Sequence, residues 1–284
     1  MKNKTMFGKI VGRFFLEPHC GLKGDDEEGT VTVSEIVETF LLWPHWKNQL
    51  KAEFNKIKLF TMFETTDVHP AIIQSMKVFD EVIVPYDYLK EILISHGVNA
   101  VSPNWYTSDL IRMKPFVVPK VMDKERKIFL YVGTNDKRKN VTTLTKVFAK
   151  AAEGTNHLLI VKTNKDDELT TTKNIQIITE KISLERLASL YNLCDYVISF
   201  TRGEGVGLPM LEANYFGKPV ICQDQGVFRD VKKEVKSGWL TLPAKEIPID
   251  LKGVPDFLHQ VFYGTWFDVD EKESHDIIKN ILLE

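Results

Sequence analysis

Glu204 and Glu212 stand eight residues apart across a glycine-rich turn, in the run Arg202-Gly-Glu-Gly-Val-Gly-Leu-Pro-Met-Leu-Glu212. A glycine-rich turn that opens a helix presents backbone N–H groups and the positive end of the helix dipole, which together bind phosphate. The amides of Gly205, Val206, Gly207 and Leu208 are the candidates for that role. Phosphate repels carboxylates, so Glu204 in the loop and Glu212 one turn into the helix suit sugar hydroxyls on either side of it. Further positive charge stands in Gly133-Thr-Asn-Asp-Lys-Arg-Lys139, which supplies Arg138 and Lys139 after another strand, and in Arg202. By charge alone this set can hold a phosphate group and, with its groups placed beforehand, stabilise negative charge that grows on that phosphate. Loss of one such donor typically costs about 3 to 4 kcal/mol of transition-state stabilisation. The plainer alternative is a strand–turn–helix with solvated acids, preceded by a solvated charged loop.

The elements that must position these residues follow from periodicity and turn chemistry. In the second half, Lys127–Gly133, His157–Lys162, Asn174–Ile178, Tyr196–Phe200 and Pro219–Cys222 are short apolar runs that read as strands. Between them lie helical patterns at Val141–Ala152, with Asn140 as its expected cap and Gly154 as its stop, and at Leu184–Asn192, capped by Ser183. A further helix begins with Pro209 at its first position and ends before Gly217. Alternation of this kind predicts a parallel sheet covered on both faces, a Rossmann-like domain over roughly 124–265. In the first half, Gly8–Leu16, Lys58–Met62 and Glu81–Pro85 are candidate strands. Helical patterns lie at Val33–Phe54, interrupted by Pro44, and at Pro70–Lys77 and Tyr86–His96. The aperiodic, proline-containing stretch from Met113 to Arg126 reads as a linker.

The Glu204-to-Glu212 segment resembles the Glu-x7-Glu motif of the retaining nucleotide-sugar glycosyltransferases of family 4. A second resemblance to that family lies in Thr61-Met-Phe-Glu-Thr-Thr66, followed by Phe79-Asp-Glu-Val-Ile-Val-Pro85. The two occur in the family's order, and the matches cover roughly residues 58 to 270. The resemblance implies an α/β, GT-B architecture: two Rossmann-like domains facing across a cleft. The expected division is 1–113, a trimmed acceptor-side domain, then 114–126, the linker, then 127–284, the donor domain. The donor is a nucleoside diphosphate sugar, with no cofactor and no metal ion. By resemblance Lys139 is the phosphate-binding lysine, Glu204 takes the transferred sugar and Glu212 the ribose hydroxyls. The base is expected near Ile178. Gly133 matches the family's strand-end glycine, whereas the arginine that often follows it is Thr134 here, so that Arg138 or Arg202 would substitute. Glu64 is the expected acceptor-positioning or base residue, with Thr65, His69 and Gly21 (in the short glycine loop Cys20–Gly24) on the acceptor side. The family's chemistry retains configuration, the leaving phosphate oxygen taking the acceptor's proton on the same face.

Composition narrows the field. With 284 residues and 43% hydrophobic residues the chain can bury the core of two domains. Its net charge of −2 supplies no global basic field for nucleic acid or an anionic membrane. No run approaches the roughly 18 apolar residues of a membrane span. Cys20, Cys194 and Cys222 lack metal-site spacing and read as thiols in a reducing compartment, so the expected location is cytoplasmic. Asp268-Val-Asp270 is an Asp-x-Asp in what reads as a polar tail, without the apolar strand that would make it a metal site. Partners are the nucleotide-sugar donor and an acceptor, whether glycan, small molecule or modified DNA. Two rivals stay open: a phage-type enzyme that glycosylates a hydroxylated DNA base, and a non-catalytic GT-B module that binds nucleotide-sugar or glycan. Gel retardation on duplex DNA separates the first, and nucleotide-sugar hydrolysis by Glu204→Ala separates the second.

Overall fold

The computed structural model describes residues 30–34, 37–52, 54–103, 126–252, 254, 256 and 259–284. Gly21, the Cys20–Gly24 loop, the candidate strand Gly8–Leu16 and nearly all of the 114–126 linker lie outside the described residues. The elements run β1 (Thr30–Ser34), a 3-10 turn (Val37–Leu42), α1 (Trp43–Leu50), β2 (Lys56–Phe60), α2 (Pro70–Met76), β3 (Glu81–Ile83), α3 (Asp87–Ser95) and β4 (Ala100–Val101). They continue with β5 (Ile128–Val132), α4 (Val141–Ala151), β6 (Leu158–Lys162), β7 (Ile175–Ile178), α5 (Leu184–Leu193), β8 (Tyr196–Ile198) and α6 (Leu208–Tyr215). The last are β9 (Val220–Cys222), α7 (Phe228–Glu234), β10 (Trp239–Thr241), β11 (Ala244–Pro248), β12 (Thr265–Val269) and α8 (Glu271–Leu283).

The chain folds as two compact units that are not contiguous in sequence. Among the described residues, one comprises those of 30–63, 68–103 and 254–263; the other those of 64–67, 126–252 and 264–284. The expected division at 113 and 126 therefore omits two exchanges: residues 64–67 belong with the second unit and 254–263 with the first. The first unit carries a parallel sheet of order β1-β2-β3-β4. Burial explains β2 and β3: Ile57, Leu59 and Val82 are all but inaccessible, and Lys58 is held by Glu81 on the neighbouring strand at 3.1 Å. The helical reading from Val33 is corrected here, because Val33 lies in β1. Pro44 does not interrupt a helix but sits in the first turn of α1, where its missing N–H leaves no bond unmade.

The second unit holds a parallel sheet of order β10-β9-β8-β5-β6-β7. The chain winds outward from β5 through β6 to β7, then returns to β8 and winds the other way. This doubly wound order places its reversal between β5 and β8, and ligands of open α/β sheets bind beyond the carboxyl ends of the strands at that point. The core beneath the sheet contains Phe129, Tyr131, Val147, Phe148 and Ile198, together with Ile278 and Ile281 of α8. Helix α8 is thus part of the core rather than a tail. It follows β12, which pairs antiparallel with β11. Among the described residues no helix is long and apolar enough to cross a membrane. Cys194 and Cys222 are buried thiols.

Candidate active site

Two loops meet at the sheet's reversal point, and each is shaped by local rules. After β5, the Gly133 N–H donates to Lys162 O at 3.0 Å, and the Tyr131 hydroxyl folds back to donate to Thr134 O at 3.0 Å. A Cβ on residue 133 would stand 2.6 Å from that hydroxyl, so a side chain there would have to displace it. Asp136 then gathers the turn, accepting from the Lys139 N–H at 2.9 Å through Oδ1, while its carbonyl accepts from the Asn140 N–H at 3.1 Å. Asn140 has φ +52°, a left-handed conformation that asparagine tolerates better than most residues. It precedes α4 but makes no side-chain cap bond, contrary to expectation; its amide instead donates to Asp268 Oδ1 at 2.9 Å.

The loop after β8 carries Thr201, Gly203 and Glu204 into Gly207, whose φ of +73° turns the chain into α6. Leu208 is the first residue of α6 and Pro209 the second, one place later than expected. The first turn of α6 has no side-chain cap, which leaves its N-terminus to backbone chemistry and the helix dipole. At the far end Gly217, at φ +67°, follows the last turn. The Lys218 N–H donates to Ala213 O at 2.8 Å and the Gly217 N–H to Asn214 O at 3.0 Å, the paired bonds of a Schellman stop.

Between the loops lies a compact ion cluster. Lys139 Nζ bonds Glu204 Oε1, and Arg138 Nη1 stands 3.5 Å from Glu204 Oε2. Arg138 Nη1 also donates to Gly203 O at 2.7 Å, and its Nε pairs with Glu64 Oε2 at 2.7 Å. The fully buried Thr201 hydroxyl lies 3.0 Å from Gly203 O and 3.1 Å from Glu204 Oε1, sharing one proton between them. Burial pushes the Glu204 carboxyl up, but Lys139 and Arg138 outweigh it and hold the group below its usual range. Burial pulls the Arg138 guanidinium down, yet Glu64, Glu204 and Asp136 carry it above its ordinary value. Both ions stay charged. Burial, followed by the charges of Glu204 and Asp136, drives the Tyr131 phenol far upward, so it remains a neutral donor.

Glu64 is not in the first unit, where the expected division put it. Residues 64–67 belong to the second unit, where the Thr66 N–H donates to Thr265 O at 3.2 Å and the Thr265 N–H to Thr66 Oγ1 at 2.9 Å. Thr65, buried, donates its hydroxyl to Asp67 O at 2.8 Å and closes the same turn. Gly203 admits the backbone of this segment: an ideal Cβ there would lie 2.1 Å from Glu64 O. His69 remains with the first unit, where its Nδ1 accepts from the Ala71 N–H at 3.2 Å to cap α2 and its ring meets Tyr263 edge-on.

Arg202 is not available as the spare cation that the sequence suggests. It is held by Asp268 through Nε at 2.9 Å and Nη2 at 3.2 Å, and donates from Nη1 to Lys137 O at 2.8 Å. Asp268 lies on β12, an ordered strand rather than a polar tail, and Asp270 caps α8 by accepting from the Lys272 and Glu273 N–H groups, both at 3.0 Å. Glu212 faces Tyr191 of α5, whose hydroxyl donates to Oε2 at 2.7 Å. Ile178 ends β7 with a buried side chain, and its carbonyl accepts from the Thr163 N–H at 3.0 Å. Tyr191, Thr201, Gly203 and Asp268 bond to the expected residues Glu212, Glu204, Arg138 and Arg202, and the sequence reading did not single them out for that. The aromatic at 191 has no local signature, whereas Gly203 directly precedes Glu204 and could have been taken from the motif itself.

The family model for glycosyl transferases group 1 matches residues 116–247, a span that contains both loops. No curated protein sequence matches the chain. Among solved structures, sucrose-phosphate synthase from Thermosynechococcus elongatus is similar at 17% identity and a TM-score of 0.58, over 89% of this chain and 69% of that one. The UDP-forming alpha,alpha-trehalose-phosphate synthase from Burkholderia xenovorans, solved with glucose-6-phosphate, is similar at 13% identity and 0.55, over 89% and 69%. WaaG, a glycosyltransferase involved in lipopolysaccharide biosynthesis, is similar at 13% identity and 0.54, over 85% and 73%. At such identities the likeness is one of fold, an α/β architecture of the GT-B type.

Proposed function

We propose, from the match of residues 116–247 to the group 1 glycosyl transferases, that this chain moves a sugar from a nucleoside diphosphate sugar to an acceptor hydroxyl with retention of configuration, and without a metal ion at the diphosphate. The observation that carries this reading is the convergence of Lys139 and Arg138 on Glu204 beside the uncapped N-terminus of α6. The two cations and the helix dipole supply positive potential where a departing diphosphate gathers charge. The Asp-x-Asp pair is already engaged, Asp268 by Arg202 and Asn140, Asp270 by the first turn of α8. In the step itself the bond from sugar C1 to the phosphate oxygen breaks as the acceptor oxygen bonds C1 on the same face. The acceptor's proton passes to the phosphate oxygen that leaves. Glu204 would let go of Lys139 when the donor enters and accept from sugar hydroxyls, while Glu212 accepts from the ribose.

Three measurements test the proposal together. Transfer or slow hydrolysis of UDP-, GDP- and ADP-sugars is followed with wild type, Lys139→Ala and Glu204→Ala, with product configuration read by NMR. Retained configuration, turnover undiminished by excess EDTA, and a loss of about 10² to 10³ in rate for each variant are expected. An inverted product overturns retention. Loss of turnover in EDTA that Mn²⁺ or Mg²⁺ restores overturns metal independence.

A further inference from the structure

We infer that Asp268 is a positioning residue of the transfer site, setting the separation of the loop that bears Lys139 from the loop that bears Glu204. This rests on the reading of Lys139 and Arg138 as the diphosphate cations. One carboxylate serves both loops: Oδ1 accepts from Arg202 Nε and from Asn140 Nδ2, each at 2.9 Å, and Oδ2 accepts from Arg202 Nη2 at 3.2 Å. Asn140 directly follows Lys139, and Arg202 stands two residues before Glu204. The planar guanidinium fork fixes direction as well as distance. Arg202 carries the connection onward, since its N–H donates to Arg138 O and its Nη1 to Lys137 O, both at 2.8 Å.

The carboxylate is itself on a firm base. Asp268 pairs in register with Lys245 of β11, Trp266 and Val269 on either side of it are buried, and the Phe267 N–H donates to Arg202 O at 3.0 Å. Asn140 gives up the usual task of its residue type before a helix, capping α4, to reach Asp268. Without that carboxylate, the left-handed turn at Asn140 and the fork of Arg202 lose their common acceptor. Lys139 and Glu204 are then no longer held at the spacing that a diphosphate sugar must bridge.

Calorimetry on the whole chain tests this with two ligands: the tightest binder among UDP, GDP and ADP, and the matching nucleoside monophosphate. Asp268→Asn and Arg202→Lys, which keeps the charge and loses the fork, should each weaken the diphosphate at least tenfold and leave the monophosphate within twofold. Glu271→Gln, which opens the exposed Lys146–Glu271 pair joining α4 to α8, should change neither. Equal weakening of both ligands, or a lowered melting temperature with unchanged affinities, assigns Asp268 to the fold and overturns the inference. Should Asp268→Asn not fold, Arg202→Lys alone decides. If Lys139→Ala leaves diphosphate affinity intact, the cation assignment fails instead, and that outcome is separate.

Discussion

The hydroxyl of Tyr191, on α5, donates to Glu212 Oε2, on α6, across 2.7 Å, and the phenol is wholly buried. Burial, and then the charge of Glu212, pushes the phenol far above its ordinary value, so it donates throughout the working pH range. A carboxylate with one oxygen held this way keeps its orientation, because a hydrogen bond to a charged group is worth more than one between neutral groups. Glu212 is the residue proposed to receive the ribose.

Tyr191→Phe removes that bond and little else. We expect affinity for the nucleoside diphosphate to fall about tenfold, roughly 1.4 kcal/mol, and affinity for its 2′,3′-dideoxy analogue to stay unchanged. Calorimetry with both ligands checks this. An equal loss for the two analogues means that Tyr191 acts on the pocket as a whole.

Gly203→Ala should lower stability. Its Cβ would meet the Glu64 carbonyl at 2.1 Å, and the obstacle is backbone, so no rotamer relieves it. A cost of about 1 to 3 kcal/mol is expected for such overpacking, read as a lower urea midpoint. An unchanged midpoint would mean that residues 64–67 are not anchored at Gly203.

Glu64→Gln should alter nucleoside diphosphate binding, because Glu64 pairs with Arg138 within the second unit. Glu64 neutralises Arg138 at 2.7 Å, and with Glu204 and Lys139 the cluster sums to zero charge. Removing one carboxylate leaves a net positive site. Nucleoside diphosphate should bind several-fold more tightly at low salt, and the gain should shrink as salt screens it. Calorimetry at two ionic strengths settles the sign; weaker binding at both would show that Glu64 orients Arg138 more than it competes for it.

Acidification should expose the Glu204 pair. Its folded carboxyl is held below the usual range by Lys139 and Arg138 against the opposing effect of burial. A group depressed on folding contributes stability that is fully present above its unfolded value, about 4.3 for glutamate, and that is lost as pH falls through the folded value. Urea midpoints from pH 7 to pH 3 should therefore drop more for wild type than for Glu204→Gln. A wild-type midpoint that rises on acidification would show burial winning over the cations.

Much of the second unit was legible in local pattern. β5 through β9 fall within about two residues of the expected runs, a margin normal for element ends. Ser183 caps α5 by accepting from the Arg186 N–H, and Gly217 ends α6, because capping and left-handed turns depend on residues only a few places apart. Local cues misled where a competing partner lay far off. Asn140 has the look of a helix cap, but Asp268, 128 residues away, takes its amide.

Residue type and spacing by themselves determined the α/β class, the glycine-rich turn that opens a helix and the acids and cations placed beside it, since backbone N–H groups, helix dipoles and side-chain charge are properties of short segments. Only the tertiary structure decided which charges meet. The winding of strands about β5 and β8 brings Lys139 to Glu204, 65 residues on. It joins Glu64 to Arg138, gives Glu212 the hydroxyl of Tyr191, and turns Asp268 from an apparent tail residue into the partner of Arg202. The physical reason is range: an ion pair depends on a separation of a few ångströms in space, and that separation is set by sheet order and helix packing rather than by position along the chain.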